Sequence, residues 1–378
     1  MKPVCVTDYR AAARERLPDV LFNYIDGGAY GETTMAANLA DFQVVRLRQR
    51  VLRDVSKLKM ETEVFGQKLA MPVVLAPIGI AGMYARRGEA AAARAAKAAG
   101  VPFSLSTVGI CSVEEVAAAA APPWFQLYMI RDRGFMDDML ARVRAVGSPV
   151  LLFTVDLPLP GSRYREHRGT LNDGTLGGRI RRGVDGLAHP DWLWDVQMRG
   201  GPLVPGNIAS LAPNLKSLGQ FWAWIGANFD QSVTWDDIAW VRERWPGPLV
   251  LKGVLDADDA REAVRCGVDG VVVSNHGGRQ LDGVASGIAA LPRIADAVGD
   301  ELTVLMDGGV RSGLDVLRAL ASGAKACLIG RVWAFALAAR GEAGVAHALQ
   351  ILRAELRVAM SLTGCTDVAA AGRDLLDA

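Results

Sequence analysis

A chain of 378 residues is long enough for a sizeable core, and a formal net charge of +1 gives no electrostatic footing for a polyanion partner. Five cysteines (Cys5, Cys111, Cys266, Cys327, Cys365) are scattered without C-x-x-C spacing, which argues against a disulfide framework or a zinc site. The N-terminal residues lack the apolar stretch of a signal peptide, and uncharged runs such as 69–85 are broken by Pro72, Pro77, Gly79 and Gly82. A cytoplasmic protein without a membrane-spanning helix is expected.

In chain order, residues 1–70 read as a helical lead-in, with helices over 6–16 and 18–24 and a polar turn at Asp26-Gly27-Gly28. From residue 72 short apolar runs alternate with alanine-rich helical patterns. The candidate strands are 72–76, 102–105, 124–128, 150–155, 248–252, 270–273, 302–306 and 326–329. Most are followed by a helix with recognisable ends. Ser112-Val113-Glu114-Glu115 is a capping box, Thr234-Trp235-Asp236-Asp237 is close to one, and Asp256 and Ser312 can cap helices that stop at Gly267 and Gly323.

Eight strands alternating with helices predict an α/β fold, a (β/α)8 TIM barrel over 72–360 with an N-terminal helical segment. A doubly wound open sheet is the competing reading, but it would normally carry a G-x-G-x-x-G turn, and none exists here. Between the fourth and fifth strands lies an insertion over about 165–229, far longer than a normal crossover. It holds Trp192, Trp194, Trp222 and Trp224 with the basic cluster Arg179, Arg181 and Arg182. That composition suits a segment resting on a membrane surface, and equally a lid on the barrel mouth or an oligomer contact.

The chemistry is expected at the carboxyl ends of the strands. The sixth strand ends in Ser274-Asn275-His276-Gly277-Gly278-Arg279-Gln280, an imidazole and a guanidinium three residues apart. A base beside a fixed cation suits proton removal from a substrate anchored by its carboxylate. The first strand ends in Pro77-Ile78-Gly79, whose small residues admit a flat ligand, and the second offers Ser106. Strands three and four offer Gln126 with Tyr128 and Thr154 with Asp156, each pair alternating onto one face, and Arg163 follows the fourth strand.

Strand five gives Lys252. Strand seven gives Asp307, Gly309 and Arg311, and strand eight Gly330 and Arg331, two glycine-bearing turns that open helices and describe a barrel phosphate site. Together these ends predict a phosphorylated planar cofactor, for which FMN fits. Lys252 has two other readings, a salt bridge with Asp307 inside the barrel and a Schiff-base lysine in a flavin-free aldolase. A non-catalytic scaffold is a further reading, opposed by Arg163 and Arg279. His167, His189 and His347 are expected to take no catalytic part.

These residues carry a resemblance. The chain resembles the FMN-dependent α-hydroxy-acid dehydrogenase and oxidase family, which includes enzymes acting on glycolate, mandelate and L-lactate. The resemblance covers essentially the whole chain, through Phe22-Asn23-Tyr24, Asp26-Gly27-Gly28-Ala29, Gln126-Leu127-Tyr128, residues 274–283, residues 307–313 and Gly330-Arg331. Residues 79–89, 160–165, 189–192 and 357–364 resemble in wording its respiratory, quinone-linked branch acting on L-lactate.

The resemblance implies that His276 takes the proton from the substrate C2 hydroxyl or C2 carbon and that Asp156 stabilises the imidazolium. Arg279 and Arg163 clamp the carboxylate, and Tyr24 and Tyr128 hydrogen-bond the substrate. Pro77, Ile78, Gly79, Ser106, Gln126, Thr154, Lys252 and Ser274 line the flavin ring and ribityl chain, while Asp307, Gly309, Arg311, Gly330 and Arg331 hold the ribityl–phosphate end. It also implies oxidation of an L-2-hydroxy acid, L-lactate to pyruvate, with quinone or another membrane acceptor taking the electrons. An O2-using oxidase that releases H2O2 is the alternative. A homotetramer, peripheral on the inner face of the plasma membrane, completes the expectation.

Overall fold

A computed structural model describes residues 3–168, 175–209 and 218–377. The lead-in is helical as expected at α1 (Val6–Arg16) and α2 (Asp19–Asp26), but it also holds α3 (Thr33–Val44) and a hairpin of β1 (Thr62–Val64) and β2 (Gln67–Leu69). The hairpin turns through Phe65 and Gly66, both in the left-handed region at φ of 51° and 74°.

Eight parallel strands follow: β3 (Val73–Leu75), β4 (Ser104–Ser106), β5 (Trp124–Leu127), β6 (Leu151–Thr154), β7 (Leu249–Val254), β8 (Gly270–Val273), β9 (Thr303–Met306) and β10 (Ala326–Ile329). They lie in the order β3-β10-β9-β8-β7-β6-β5-β4. A parallel bridge between Leu75 and Phe103, with Leu75 N donating to Pro102 O at 2.9 Å, joins the two ends. The sheet is therefore a closed barrel, and the open-sheet alternative falls.

The period-2 alternation of each strand explains both the core and the site. Val74, Leu152, Val250, Val272, Leu305 and Leu328 cluster inside the barrel with Trp124. Val64 and Leu69 of the hairpin join them, with Phe65 against Trp124, so β1 and β2 plug the amino-terminal end. The neighbours Val73, Leu75, Val271 and Val273 face outward into the core shared with the helices. On five strands the inner face turns polar two residues beyond the inward apolar side chain, at Gln126, Thr154, Lys252, Ser274 and Asp307.

The helices between strands largely obey their caps. Ser112 accepts from Glu115 N, Asp256 from Asp258 N and Ser312 from Asp315 N. Thr234 is an exception. α11 (Asp236–Arg244) starts after Trp235, and Asp237 Oδ2 accepts the Thr234 N–H at 2.9 Å instead. The insertion supplies α7 (Tyr164–Arg168), α8 (Leu176–Leu187), α9 (Pro190–Trp192) and α10 (Leu218–Asn228). His347 pairs with Tyr9 Oη at 2.7 Å and His189 Nδ1 lies 2.7 Å from Asp185 O, and neither lines the cleft at the barrel mouth.

Candidate active site

The carboxyl ends of the strands surround a cleft enclosing about 1200 Å³. Tyr24, Pro77, Ile78, Gly79, Gln126, Tyr128, Thr154, Arg163, Lys252, His276, Arg279, Asp307, Gly309, Arg311, Gly330 and Arg331 all line it. Asp156, Ser106 and Ser274 stand one step behind and act on lining residues. Ser106 Oγ donates to Gln126 Oε1 at 2.9 Å, Gln126 Nε2 donates to Thr154 Oγ1 at 3.0 Å, and Ser274 Oγ receives both Lys252 Nζ at 3.1 Å and His276 N at 3.0 Å.

His276 opens a run of left-handed residues, with φ of 57°, 68° and 74° at His276, Gly277 and Gly278. A non-glycine residue in that region is strained, and here the turn swings the imidazole back over the mouth. Its Nδ1 lies 2.9 Å from Asp156 Oδ1. A carboxylate accepts, so Nδ1 carries the hydrogen and Nε2 keeps its lone pair. Burial pushes His276 below its usual pKa, and the Asp156 charge only partly offsets this. Burial works against the Asp156 charge too, but His276 and then Lys252 hold that carboxyl below its ordinary range. The pair is a neutral base oriented by an anion.

Asp156 fits only because residue 253 is glycine. At φ of 111°, a Cβ there would come within 2.5 Å of Asp156 Cβ and Cγ. Lys252 Nζ sits 2.9 Å from Asp307 Oδ2. Burial would lower its pKa, but Asp307 and Asp156 raise it, so it is an ammonium and a poor Schiff-base nucleophile.

Two guanidiniums face the imidazole side. Arg163 Nε donates to Arg279 O at 3.1 Å and its Nη2 to Gln280 Oε1 at 3.3 Å. Arg279 Nη1 donates to the carbonyls of Tyr24 and, at 2.9 Å, Gly27, and its guanidinium carbon lies 4.7 Å from the Tyr24 ring centroid. Burial raises the pKa of both Tyr24 and Tyr128, which stay protonated donors. A second pair, Arg311 and Arg331, has no carboxylate partner among the described residues. Burial pushes Arg311 down to about 10, and burial plus the charges of Arg311 and Arg279 pushes Arg331 well down. Since arginine does not deprotonate here, the shifts mark uncompensated positive charge at the openings of two helices.

Those features test FMN directly. A phosphate dianion supplies the missing negative charge at Arg311 and Arg331. Asp307 Oδ1 is buried with no hydrogen-bond partner among the described residues, and a ribityl hydroxyl is a donor. The amide of Gln126 has one N–H left over for a ring edge. The residues fit the group.

Sequence reasoning missed the upper wall. Leu157, Ile225 and Phe229 line the cleft from the insertion and its roots, and Phe229 lies 5.0 Å from Tyr128 between ring centroids. Glu166, 7% exposed between Arg163 and Arg279, was also missed. Its signal was the three-residue spacing from Arg163 on a helix. The insertion's tryptophans divide: Trp192 is buried with Nε1 on Met83 O at 2.8 Å, Trp224 packs against the core, and Trp194 is exposed. Arg181 is exposed, while the side chains of Arg179, Arg182 and Trp222 lie outside the described residues.

Comparison with known proteins agrees with this geometry. The family model described as FMN-dependent dehydrogenase matches residues 13–378. The chain is 58% identical over 372 residues to an L-lactate dehydrogenase of Caulobacter vibrioides, covering 98% of this chain and 96% of that protein. It is 55% identical over 371 residues to one of Stenotrophomonas maltophilia, covering 98% and 97%. Among solved structures, a monotopic membrane protein, (S)-mandelate dehydrogenase, matches at TM-score 0.93 and 35% identity over 100% of both chains. A mandelate oxidase matches at 0.83 and 38% identity over 100% of this chain and 98% of that one.

Proposed function

This chain belongs to the FMN-dependent dehydrogenase family, and from that premise we propose that it oxidises L-lactate to pyruvate and passes two electrons to a membrane quinone. The observation that carries the reading is the convergence of a neutral, carboxylate-oriented imidazole and two guanidiniums on one cleft. The balance is lactate plus quinone giving pyruvate plus quinol. When bound, FMN supplies the two-electron acceptor at the site.

The protein's own residues do the rest. Arg163 and Arg279 clamp the substrate carboxylate, and the protonated Tyr24 and Tyr128 hydroxyls donate to the substrate oxygens. His276 Nε2 receives the proton lost from C2 or its hydroxyl, and Asp156 stabilises the resulting imidazolium. Pro77, Ile78, Gly79, Gln126, Thr154 and Lys252 would line the ring, with Ser106 and Ser274 fixing Gln126 and Lys252. Asp307, Gly309, Arg311, Gly330 and Arg331 would hold the ribityl–phosphate end. Val108 lines the same cleft, and its Cγ2 lies 2.8 Å from where a Cβ on Gly79 would stand, so residue 79 is held to glycine.

The membrane contact rests on α8. Leu176, Ile180, Val184 and Leu187 recur at helical spacing and are 73%, 57%, 62% and 71% exposed. Trp194 and Met198 nearby are exposed too. A stripe of that kind suits the acyl–headgroup boundary. Four glycines (Gly177, Gly178, Gly183, Gly186) weaken α8 as an isolated helix, so a surface that buries its stripe also stabilises it. No helix among the described residues is long and apolar enough to cross a membrane, which fits peripheral attachment. We read the chain as one domain with this insertion and the assembly as a homotetramer, for which sedimentation should give about four times 40.3 kDa.

The test is anaerobic mixing of the holoenzyme with a panel of 2-hydroxy acids, followed by reoxidation. Fast flavin bleaching by L-lactate and fast reoxidation by a short-chain quinone, with little peroxide in air, is the expected result. Stoichiometric peroxide at full turnover would instead make it an oxidase.

A further inference from the structure

Glu166 is a buried carboxylate that touches both arginines of the substrate clamp and has no assigned part in the reaction. It follows Arg163 by three residues in α7 and is 7% exposed. Its Oε1 stands 3.0 Å from Arg279 Nη2 and 3.4 Å from Arg163 Nη1. A single carboxylate oxygen therefore faces both cations. The other partners of these guanidiniums among the described residues are neutral: the carbonyls of Tyr24, Gly27 and Arg279, and the Gln280 amide. Among the described residues, Glu166 is the only carboxylate ion-paired with either arginine. Its influence is unequal. Burial and the neighbouring Arg279 charge push Arg163 down, whereas burial of Arg279 is more than offset by Glu166 together with Tyr24 and Tyr84, which hold it up.

We propose that Glu166 determines specificity for monocarboxylates, by cancelling one of the two arginine charges so that the clamp carries a net charge of +1. A singly charged 2-hydroxy acid, or its 2-oxo product, then neutralises the buried cluster. A dicarboxylate of similar size leaves one negative charge uncompensated, which is costly away from water. The inference rests on the reading of Arg163 and Arg279 as the carboxylate clamp. Glu166 acts through the arginines and by its field on the bound anion, and it takes no part in proton transfer.

The Coulomb energy between Glu166 and a ligand scales with the ligand's charge, which gives the proposal a quantitative signature. Removing the Glu166 charge must change the logarithm of Kd about twice as much for a dianion as for a monoanion. The experiment is isothermal titration of oxidised holoenzyme with pyruvate and with oxalate near pH 7.5, for the wild type and Glu166→Gln. We expect pyruvate to bind on the order of 10-fold tighter and oxalate on the order of 100-fold tighter in the variant. Glu166→Asp, which keeps the charge but withdraws it, should give a smaller shift in the same two-to-one proportion. It also serves if Glu166→Gln yields no folded holoenzyme.

A purely structural role predicts that both anions weaken together, and that result overturns the proposal. So does an unchanged preference between oxalate and pyruvate while Arg163→Met still abolishes pyruvate binding, an outcome that leaves the clamp standing. If Arg163→Met leaves pyruvate affinity untouched, the clamp reading fails and this inference falls with it.

Discussion

The rim of the barrel and the insertion that rises from it obey different rules. At the rim the functional side chains borne on strand ends sit two residues beyond an inward apolar one, Leu152 before Thr154, Val250 before Lys252 and Leu305 before Asp307. Parallel register then places them around one cleft without help from composition. In the insertion the same apolar spacing has two outcomes. α10 turns Phe221 and Ile225 inward, Ile225 and the following Phe229 roof the cleft, and α8 turns Leu176, Ile180, Val184 and Leu187 outward. Periodicity fixes which residues share a face; only the rest of the fold fixes where that face looks.

That contrast can be broken at its strongest point first. His276→Gln should keep FMN, because the imidazole is assigned to substrate chemistry, yet slow anaerobic bleaching by L-lactate by about 10²–10⁴-fold. Near-normal bleaching would remove the rim's central residue from the reaction. Gly253→Ala probes the register itself. A Cβ at φ of 111° within 2.5 Å of Asp156 should cost on the order of 2–4 kcal/mol by thermal or urea unfolding, with activity falling alongside. An alanine tolerated without loss would mean that Asp156 is not held there.

The insertion should answer differently. Ile180→Glu with Val184→Glu changes only exposed side chains, so unfolding free energy should move by less than about 0.5 kcal/mol. Binding to sedimented anionic vesicles should fall about 10-fold or more, as two apolar side chains are lost from the contact. Unaltered vesicle binding, or a large loss of stability, would return the α8 stripe to an oligomer contact or the core. The smallest effect is in pH. Because His276 is held below 6.5 and must be neutral to accept a proton, the acid limb of kcat/KM for L-lactate should lie below that value. Asp156→Asn removes the charge that pulls His276 upward, so the limb should move lower still while the rate drops. A limb above 6.5 in the wild type would contradict the assignment.

How much of this was legible in the sequence follows the same division. The barrel could be read because its strands are short β-branched runs bounded by caps that Ser112, Asp256 and Ser312 do provide. The site could be read because strand ends in such a barrel converge. The hairpin around Phe65-Gly66 was hidden inside a segment read as helical, being too short to show alternation. The roles of Glu166 and Gly253 were harder to read for a deeper reason. Each matters through a side chain brought in from a distant element, Arg279 in one case and Asp156 in the other. Composition alone did not sort the tryptophans of the insertion: Trp192 is bound to the lead into α4 (Gly88–Ala98) through Met83, and among the described side chains only Trp194 is well exposed.

A crystal structure of the holoenzyme with pyruvate bound would test the core of the account. It should show the pyruvate carboxylate between Arg163 and Arg279, its carbonyl oxygen facing His276 Nε2, and the FMN phosphate against Arg311 and Arg331. Pyruvate bound away from the Arg163–Arg279 pair, or turned with its carbonyl away from His276, would contradict it.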